Sequence, residues 1–528
     1  MPGRVVIQWD KDDVAEMHLI KIDLLGLGMM AALQDTLSLL SGTGVDVDLA
    51  HLPADDPKVY GMLRAADTVG VFQVESRAQM ATLPRLKPTH FYDLVVEVAI
   101  IRPGPIVGNM VHPYLRRRAG REPVVYAHPN LEPILSRTLG VPLFQEQLLR
   151  MAMAVANFTG GEAEDLRRAM GMKRSQKKMA VLEVKLRAGM TANGIVGATQ
   201  DQIVQSITSF ALYGFPESHA ASFALLAYAS AYLRAHHPAA FVCALLNNQP
   251  MGFYSPFTLV KDAQRHGARF RPVDVTRSEW LCTLEEGEVR LGLRYVRGLR
   301  QAAGESIVAA RRARSFVSVQ DLVDRADVHR DELPRLAETG ALNAFGLTRR
   351  SALWQVEKAG RPRGELFRQA DRATENREHV TSDGDVSPLA EMSLSERLYT
   401  DITTTGLTMG PHPIALHRDG LAERGVKRAW DLSRLREGTP VRVAGAVICR
   451  QRPGTAKGFV FLTLEDETGL VNITVRPDLF ETHGQVVVTS EVLEVDGILQ
   501  TQGGVSVRAT DVRRPVLPRL GTASRDFH

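Results

Sequence analysis

Residues 458–464, GFVFLTL, alternate along the chain between two sets of side chains, as a β-strand with two different faces does. Residues 441–447, VRVAGAV, alternate in the same way, and a turn rich in acidic residues follows at 465–469. Further strands are predicted at 470–475, 486–495 and 505–507. Five short strands within about 75 residues predict a small β-barrel between residues 439 and 514.

The chain upstream of this barrel is mostly helical in its periodicity. Residues 220–235 form an alanine-rich, nearly uncharged helix pattern, which indicates burial. Residues 289–346 contain two helix–hairpin–helix patterns, which turn at 296–299 and 338–342. Residues 360–397 are polar and indicate a linker with short helices. The predicted fold class is therefore multidomain α+β, with a mostly helical first region, a tandem helix–hairpin–helix and a C-terminal OB-type β-barrel.

Composition limits the class of protein. The chain has 528 residues, of which 44% are hydrophobic and 23% charged, which is usual for a globular protein of three to five domains. No apolar run approaches the roughly 18–20 residues of a membrane span, and no secretory signal is visible. Three widely separated cysteines, Cys243, Cys282 and Cys449, exclude a CxxC zinc site and a disulfide framework. We expect a cytoplasmic protein without a membrane partner.

Basic residues are clustered although the net charge is only +4. Six basic residues lie within residues 167–178, including Arg167, Arg168 and Lys173. They could face a triphosphate or a DNA backbone, or form a solvated basic surface. Residues 289–330 hold nine arginines against four acidic residues, an excess of 9 − 4 = +5. A high-GC genome that favours arginine codons is an alternative cause.

The two predicted hairpins contain further candidates for contact with DNA. The hairpin glycines Gly298 and Gly340, with Arg297 and Arg300, predict contacts to DNA phosphates, and a plain helical bundle is the alternative.

Aromatic residues on the predicted barrel suggest a second DNA contact. Phe459 and Phe461, near Arg442 and Arg450, suit base stacking with backbone contacts, although one of the two rings could belong to the barrel core.

Two further motifs remain ambiguous from spacing alone. Tyr213 and His219 flank a turn that enters the buried helix and could face a nucleotide, or only cap and pack it. Asp23 could be a metal ligand at a strand end or a surface residue. Asp46 and Asp48 could be the paired carboxylates of a two-metal site or part of a solvated loop.

Several long motifs occur in order along the chain: VFQVESR at 71–77, IRPGP at 101–105, FQEQ at 144–147, LRRAMG at 166–171, YGFPESH at 213–219 and GPHP at 410–413. Together they resemble the C-terminal half of a bacterial C-family DNA polymerase, the alpha-subunit type of polymerase III. The AQM at 78–80 and the terminal SRDFH at 524–528 resemble the error-prone branch of that family.

The resemblance implies a domain layout. Residues 1–60 match the end of the palm, 61–288 the fingers, 289–346 the tandem helix–hairpin–helix, 347–438 a linker with short helices, 439–514 the OB domain and 515–528 a tail.

The resemblance also implies roles for site residues. Asp23 matches the third catalytic aspartate, a ligand of Mg²⁺ in a two-ion site. Arg167, Arg168, Lys173, Tyr213 and His219 match the nucleotide-facing motifs.

The family's first two catalytic aspartates belong to a PDxD-type motif well upstream of the position that Asp23 matches, and residues 1–22 do not contain that motif. Because a single Asp23 cannot hold two ions, we expect a truncated or split chain that does not polymerise by itself. The expected partners are primer–template DNA, deoxynucleoside triphosphates, an upstream polymerase half, mutagenesis accessory proteins and, indirectly, a sliding clamp. The expected role is error-prone translesion synthesis after DNA damage, and the alternative is a non-catalytic DNA-binding remnant.

Overall fold

The computed structural model describes residues 9, 11–20, 25–101, 111–171, 176–210, 215–359, 387–454, 456–501, 504–515 and 525–527. The α-helices are, in chain order, α1 Lys11–Glu16, α2 Leu27–Ser41, α3 Pro57–Arg64, α4 Arg77–Leu86, α5 Phe91–Ile100, α6 Val111–Arg118, α7 Glu132–Leu135, α8 Gln145–Ala156, α9 Gly160–Gly171, α10 Gln176–Ala192, α11 Gly197–Phe210, α12 Glu217–His236, α13 Pro238–Asn247, α14 Pro256–Arg265, α15 Gln301–Ala313, α16 Val319–Arg325, α17 Leu333–Glu338, α18 Arg349–Ala359, α19 Leu394–Thr405, α20 Arg418–Glu423, α21 Ala429–Leu432 and α22 Pro477–Thr489.

Short 3₁₀ helices cover Leu49–His51, Pro129–Leu131, Ser136–Thr138, Leu293–Tyr295, Asn343–Phe345 and Pro413–His417. The strands are β1 Phe270–Arg271, β2 Thr283–Glu285, β3 Glu288–Arg290, β4 Val426–Lys427, β5 Pro440–Gln451, β6 Val460–Glu465, β7 Leu470–Val475, β8 Val492–Gln500, β9 Ser506–Arg513 and β10 Arg525–Phe527. Within these described residues, no helix is long and apolar enough to cross a membrane.

The chain divides into two compact units. The first unit comprises Met1–Met30, Pro53–Thr68 and Phe72–Ala229, and the second comprises Ala31–Leu52, Val69–Val71 and Ser230–His528. Each unit contains its own buried apolar clusters, which helices supply in the first unit and a barrel supplies in the second.

The core of the first unit lies among helices α8 to α11. Leu148, Met151 and Val155 share one face of α8 and are buried against residues of the neighbouring helices. Helix α10 approaches α8 closely at Gly189, where a Cβ atom would lie 2.1 Å from the carbonyl oxygen of Ala156. Glycine at this position therefore allows the two helices to pack backbone to backbone.

The alanine-rich pattern at 220–235 is helical and largely buried, as predicted. It forms most of α12, where Ala220, Ala224, Ala227 and Ala231 are all at most 1% exposed. Their spacing of four, three and four residues places them along one face of the helix. Small side chains on this face let neighbouring backbone come close to the helix.

The longest segment of the second unit, Ser230–His528, contains α13 and α14 and a three-stranded sheet in the order β1-β3-β2. Helices α15 to α18 follow and contain the two predicted hairpins. Arg290 on β3 is buried, and its guanidinium donates to the carbonyl of Pro272 and to the carboxylate of Glu285. These contacts tie β3 to the residue that follows β1 and to the end of β2.

The predicted barrel is present and closed. Its strands follow the order β5-β6-β7-β9-β8, and β8 pairs again with β5. The core consists mainly of Val, Leu and Ile side chains that alternate with outward residues, as in β7, where Val471, Ile473 and Val475 are buried. Helix α22 lies between the third and fourth barrel strands in the sequence, and the topology is that of an OB fold.

The start of the fourth barrel strand differs from the prediction in the type of structure formed. Residues 486–489 belong to α22, and the fourth barrel strand starts only at Val492. Pro477 occupies the first turn of this helix, where its fixed φ favours a helical start, and Val487 contributes to the barrel core. Packing of Val487 therefore overrides the strand preference of its β-branched neighbours.

Candidate nucleic-acid and nucleotide interfaces

The first hairpin exposes backbone amides at its turn. Gly298 has φ +88° and is exposed, and the atom nearest to a Cβ built there is Cγ of Arg335 at 3.8 Å. Helix α15 begins just after it, and its N-cap residue, Arg300, provides no side-chain cap. Among the described residues, the N–H groups of Gly298, Gln301 and Ala302 have no hydrogen-bond acceptor. Such a turn before an uncapped helix start can bind an anion such as a DNA phosphate.

Arg297 anchors this hairpin to the end of α19. Its backbone N–H donates to the carbonyl of Thr404 at 2.8 Å, and its guanidinium donates to the carbonyl of Thr403 at 3.2 Å. Gly406 follows with φ +80°, and a Cβ there would lie 2.5 Å from Nη2 of Arg297. The guanidinium of Arg297 already donates to carbonyl groups at the end of α19. A direct contact of Arg297 with DNA stays a prediction.

Arg300 is also held by a protein partner. It pairs with the carboxylate of Glu332, which is 2% exposed, at 3.0 Å. Arg300 thereby fixes the start of α15 against the segment before α17, and its contact with DNA stays a prediction.

The second hairpin differs from the first in its backbone hydrogen bonds. Gly340 has φ +80° but is buried, and its N–H donates to the carbonyl of Ala337 at 3.0 Å. A Cβ at Gly340 would lie 3.0 Å from Nε of Arg349. Thr348 caps the following helix, since its Oγ1 accepts the N–H of Ser351 at 3.2 Å. The turn glycine of the second hairpin is therefore less available to a ligand than that of the first.

The local charge excess of residues 289–330 is partly offset in three dimensions. Arg311 and Arg312 both pair with Glu279, which lies outside that range, at 2.8 and 3.0 Å. Asp321 pairs with Arg314 and Arg325, each at 2.8 Å. Counting charges within residues 289–330 could not reveal the pairs with Glu279, because Glu279 lies outside that range.

The barrel carries a polar and aromatic outer surface on β6, β7 and β9. Phe461 pairs in register with Thr474, and Thr474 pairs with Arg508. Phe459 and Phe461 are each partly exposed, while Val460 between them is buried. Neither phenylalanine therefore belongs to the barrel core. An aromatic ring, a hydroxyl and an arginine in one row suit contact with single-stranded nucleic acid.

Arg442 and Arg450 hold the barrel together. Arg442 pairs with Asp496 across strands at 2.6 Å. The Nε atom of Arg450 donates to the carbonyl of Val487 at 2.8 Å, and its guanidinium also donates to the carbonyl of Ser490 at the end of α22. Both guanidinium groups have protein partners in the barrel.

Three motifs meet in the first unit. Gly26 has φ +95°, and a Cβ there would lie 3.2 Å from the ring of Phe72. The Phe72 ring centre is 5.4 Å from that of Phe223, which lies 4.2 Å from the ring of His219. The chain just after Asp23 thus lies close to the helix that carries His219, although the two are nearly 200 residues apart.

The start of α12 carries charged residues that sequence reasoning missed. The backbone N–H of Glu217 donates to Glu146 at 2.9 Å, and the hydroxyl of Tyr92 donates to the Glu217 carboxylate at 2.8 Å. The Arg137 guanidinium lies 3.8 Å from the ring centre of Tyr92. Glu146 therefore caps the start of α12. The FQEQ motif was the only sequence signal that pointed to Glu146.

Arg167 lies on the exposed side of α9 and pairs with Glu164 at 2.6 Å. The hydrogen bond to Glu164 raises the pKa of Arg167, and the more distant charge of Glu146 adds to the effect.

Several predicted residues lie outside the described part of the chain. These are Asp23, Lys173 and Tyr213, together with the side chain of Arg168. Their predicted roles, including the Mg²⁺ site at Asp23, stay predictions.

Three family models match separate parts of the chain. The finger domain of the bacterial DNA polymerase III alpha subunit matches residues 29–194. A helix–hairpin–helix motif matches residues 267–352, and an OB-fold nucleic acid binding domain matches residues 441–514. The last two matches cover the hairpins and the barrel described above.

Whole-chain similarity to curated proteins is high. The chain is 51% identical to the error-prone DNA polymerase of Anaeromyxobacter dehalogenans, with 100% of the chain and 48% of that protein covered. It is 47% identical to the error-prone DNA polymerase of Alkalilimnicola ehrlichii and 46% identical to that of Pseudomonas aeruginosa, again over 100% of the chain and 51% of each protein. The chain thus spans about half the length of the curated relatives it matches. By sequence, the chain is similar to the C-family of bacterial DNA polymerases, the polymerase III alpha-subunit type, and within that family to proteins named error-prone DNA polymerase.

Proposed function

We propose that this chain is the fingers, DNA-binding and OB-fold portion of an error-prone DNA-directed DNA polymerase. In this proposal it acts in translesion synthesis and damage-induced mutagenesis. The observation that carries the DNA-binding part is the first hairpin, where the exposed N–H groups of Gly298, Gln301 and Ala302 have no acceptor within the described residues. Backbone amides bind any phosphate alike, so this contact is independent of base sequence.

The two units would divide the work of the polymerase. The first unit would hold the incoming nucleotide through Arg167, Arg168, Lys173, Tyr213 and His219. Support comes from the convergence of Gly26, Phe72 and His219, which brings the segment after Asp23 near the nucleotide-facing helix. The second unit would hold duplex DNA at its first hairpin and single-stranded template at the barrel surface around Phe461.

Catalysis would require further carboxylates besides that of Asp23. Asp23 would contribute one carboxylate to a two-ion Mg²⁺ site, which supports nucleotidyl transfer by activating the primer hydroxyl and neutralising pyrophosphate. The other carboxylates would come from an upstream polymerase half. Mutagenesis accessory proteins and a sliding clamp would serve as partners of the assembled enzyme.

Two measurements on the 528-residue chain test the proposal. With primed template, Mg²⁺ and four nucleotides, we expect no extension. Extension that Asp23→Ala abolishes would contradict the expected dependence on an upstream half. With duplex DNA, we expect affinity to fall by about 0.9 log units per log unit of salt for each phosphate contacted. Affinity that is insensitive to salt, or strongly dependent on base sequence, would contradict phosphate binding.

The non-catalytic alternative makes a different prediction. A DNA-binding remnant would bind duplex DNA in the same way but would have no catalytic half to join. A PDxD-containing half encoded directly upstream of Met1 supports the polymerase, and its absence supports the remnant.

A further inference from the structure

Trp430 presents a large aromatic side chain to solvent beside the barrel. It lies on the short helix α21 and is 59% exposed. The guanidinium of Arg434 lies over its ring, 5.4 Å from the ring centre. An exposed ring next to a cation differs from an ordinary surface hydrophobe, because together the two groups can stack on a planar ligand and pair with its charge.

The backbone of α21 holds this ring at a fixed place on the barrel. The N–H of Trp430 donates to Oγ1 of Thr468 at 3.1 Å, and the N–H of Ala429 donates to the carboxylate of Asp466 at 2.8 Å. Leu432 is fully buried in the barrel core. Thr468 and Asp466 belong to the turn between β6 and β7, the second and third barrel strands, whose face binds oligonucleotides in OB folds. Trp430 therefore lies at one end of that strand pair.

The acidic side chains of this turn and of α21 have partners that offset their charge. Arg418 pairs with both Asp466 and Glu467, at 3.5 and 2.6 Å. Asp466 is also 2% exposed, and its Oδ1 accepts hydrogen bonds from within the turn. Asp431 pairs with Arg428 at 3.0 Å. These contacts reduce the repulsion that the carboxylates would exert on an anionic ligand at the ring.

Positive charge remains available around the ring. Lys427, Arg434 and Arg436 are all exposed. Within the described part of the chain, no carboxylate forms an ion pair with these side chains. An exposed aromatic ring among available cations is the combination that binds single-stranded nucleic acid, since the ring stacks on a base while the cations neutralise phosphates.

We propose that Trp430 stacks on a base of single-stranded DNA, with Arg434 contacting the phosphate backbone beside it. The inference rests on the proposed function, in which the barrel binds single-stranded template, and it extends that surface from the barrel strands to α21. Every base has an aromatic face, so the contact is independent of sequence. Bases in a duplex already stack on each other, so the contact favours single strands.

The test uses the 528-residue chain and fluorescein-labelled oligothymidylate, with affinity measured by anisotropy at low salt. Trp430→Leu removes the aromatic ring, and Trp430→Phe keeps a smaller one. Trp354→Leu is the matched control, since Trp354 is also exposed, at 42%, but lies on α18. A labelled abasic strand of the same length offers phosphates without bases. Thermal unfolding of every variant measures any loss of stability.

We expect Trp430→Leu to weaken binding of oligothymidylate about fivefold or more, because the stacking of one base is lost. Trp430→Phe should lose less affinity, and Trp354→Leu should bind like wild type. All three variants should bind the abasic strand like wild type. Arg434→Gln should reduce the salt dependence for oligothymidylate by about 0.7 log units per log unit of salt, as expected for one phosphate contact.

Three results would overturn the inference in different ways. If wild type binds oligothymidylate and Trp430→Leu binds it equally well, the inference is wrong while the proposed barrel function stands, and the ring is left for a protein partner. If Trp430→Leu weakens binding of both strands alike, the ring orders its surroundings and does not stack on a base. If wild type does not bind oligothymidylate, the proposed function of the barrel itself fails, and the inference fails with it.

Discussion

Glu332 accepts three hydrogen bonds from a single residue, Arg300. Its Oε1 accepts the backbone N–H at 2.8 Å and Nε at 3.0 Å, and its Oε2 accepts Nη2 at 3.1 Å. Burial alone would raise the pKa of Glu332, but the hydrogen bonds from Arg300 and His329 lower it below the usual range. The pair fixes the residue that precedes helix α15, and thereby positions the free amides of the first hairpin.

Glu332→Gln should destabilise the protein by about 1–3 kcal/mol, because a buried charged acceptor is lost. Chemical denaturation measures the free energy of unfolding, and Glu338→Gln, which alters a partly exposed pair with Arg335, is the control. Since the folded pKa of Glu332 is depressed, its contribution is present above about pH 4.5 and is lost as the pH falls through the folded pKa. The difference between wild type and variant should therefore shrink in acid. A constant difference would contradict this assignment.

Gln301→Pro should weaken duplex binding about tenfold or more without unfolding α15. Gln301 is the first residue of the helix, where proline is tolerated, and Arg300 before it has the extended backbone that proline requires (φ −68°, ψ 148°). The substitution removes one free N–H group, and a hydrogen bond to a charged group is worth about 1.5–3 kcal/mol. Gln301→Ala removes the side chain but keeps the amide, and should bind like wild type. Equal affinities of the two variants would exclude an amide–phosphate contact.

Gly298→Ala and Gly340→Ala should separate DNA binding from stability. Both positions have positive φ, so each alanine costs about 1–2 kcal/mol of strain. At Gly340 the new methyl group also displaces Arg349, which pairs with Asp401 at 2.7 Å, so this variant should lose more stability. At Gly298 the methyl group is exposed where a phosphate would approach, so this variant should lose more DNA affinity. Denaturation and DNA titration of the two variants, compared at equal folded fraction, decide the outcome.

The difference in stability between Glu465→Gln and wild type should favour the variant more strongly at neutral pH than in acid. Burial raises the pKa of Glu465 from 4.5 to about 7, although Arg265 and Thr258 oppose the shift. Between these two values the unfolded state ionises while the folded state keeps its proton, so wild type loses stability as the pH rises. The variant cannot ionise there, and its advantage over wild type should grow by about 3 kcal/mol between pH 4.5 and 7.5. An advantage that does not change with pH would contradict burial as the cause.

The alternation of side chains along the strands and the positions of glycines at the turns made much of the fold predictable. The barrel strands around residues 441–447 and 458–464, the buried alanine face of α12 and the two hairpin turns all follow from local patterns, and the structure confirms them. The exception is residues 486–489, whose β-branched residues indicated a strand. There the proline start of α22 and the burial of Val487 against the barrel decide for a helix.

The sequence by itself determined which segments become helix, hairpin and barrel strand, because those preferences act between residues close along the chain. Only the tertiary structure decided which charged groups and backbone amides stay available for a ligand. Arg297, Arg300, Arg442 and Arg450 find partners in distant segments. The turn glycine of the second hairpin, Gly340, has an acceptor for its N–H, whereas among the described residues that of the first, Gly298, has none. Hydrogen bonds and ion pairs act over a few ångströms of space, so folding alone fixes which groups they join.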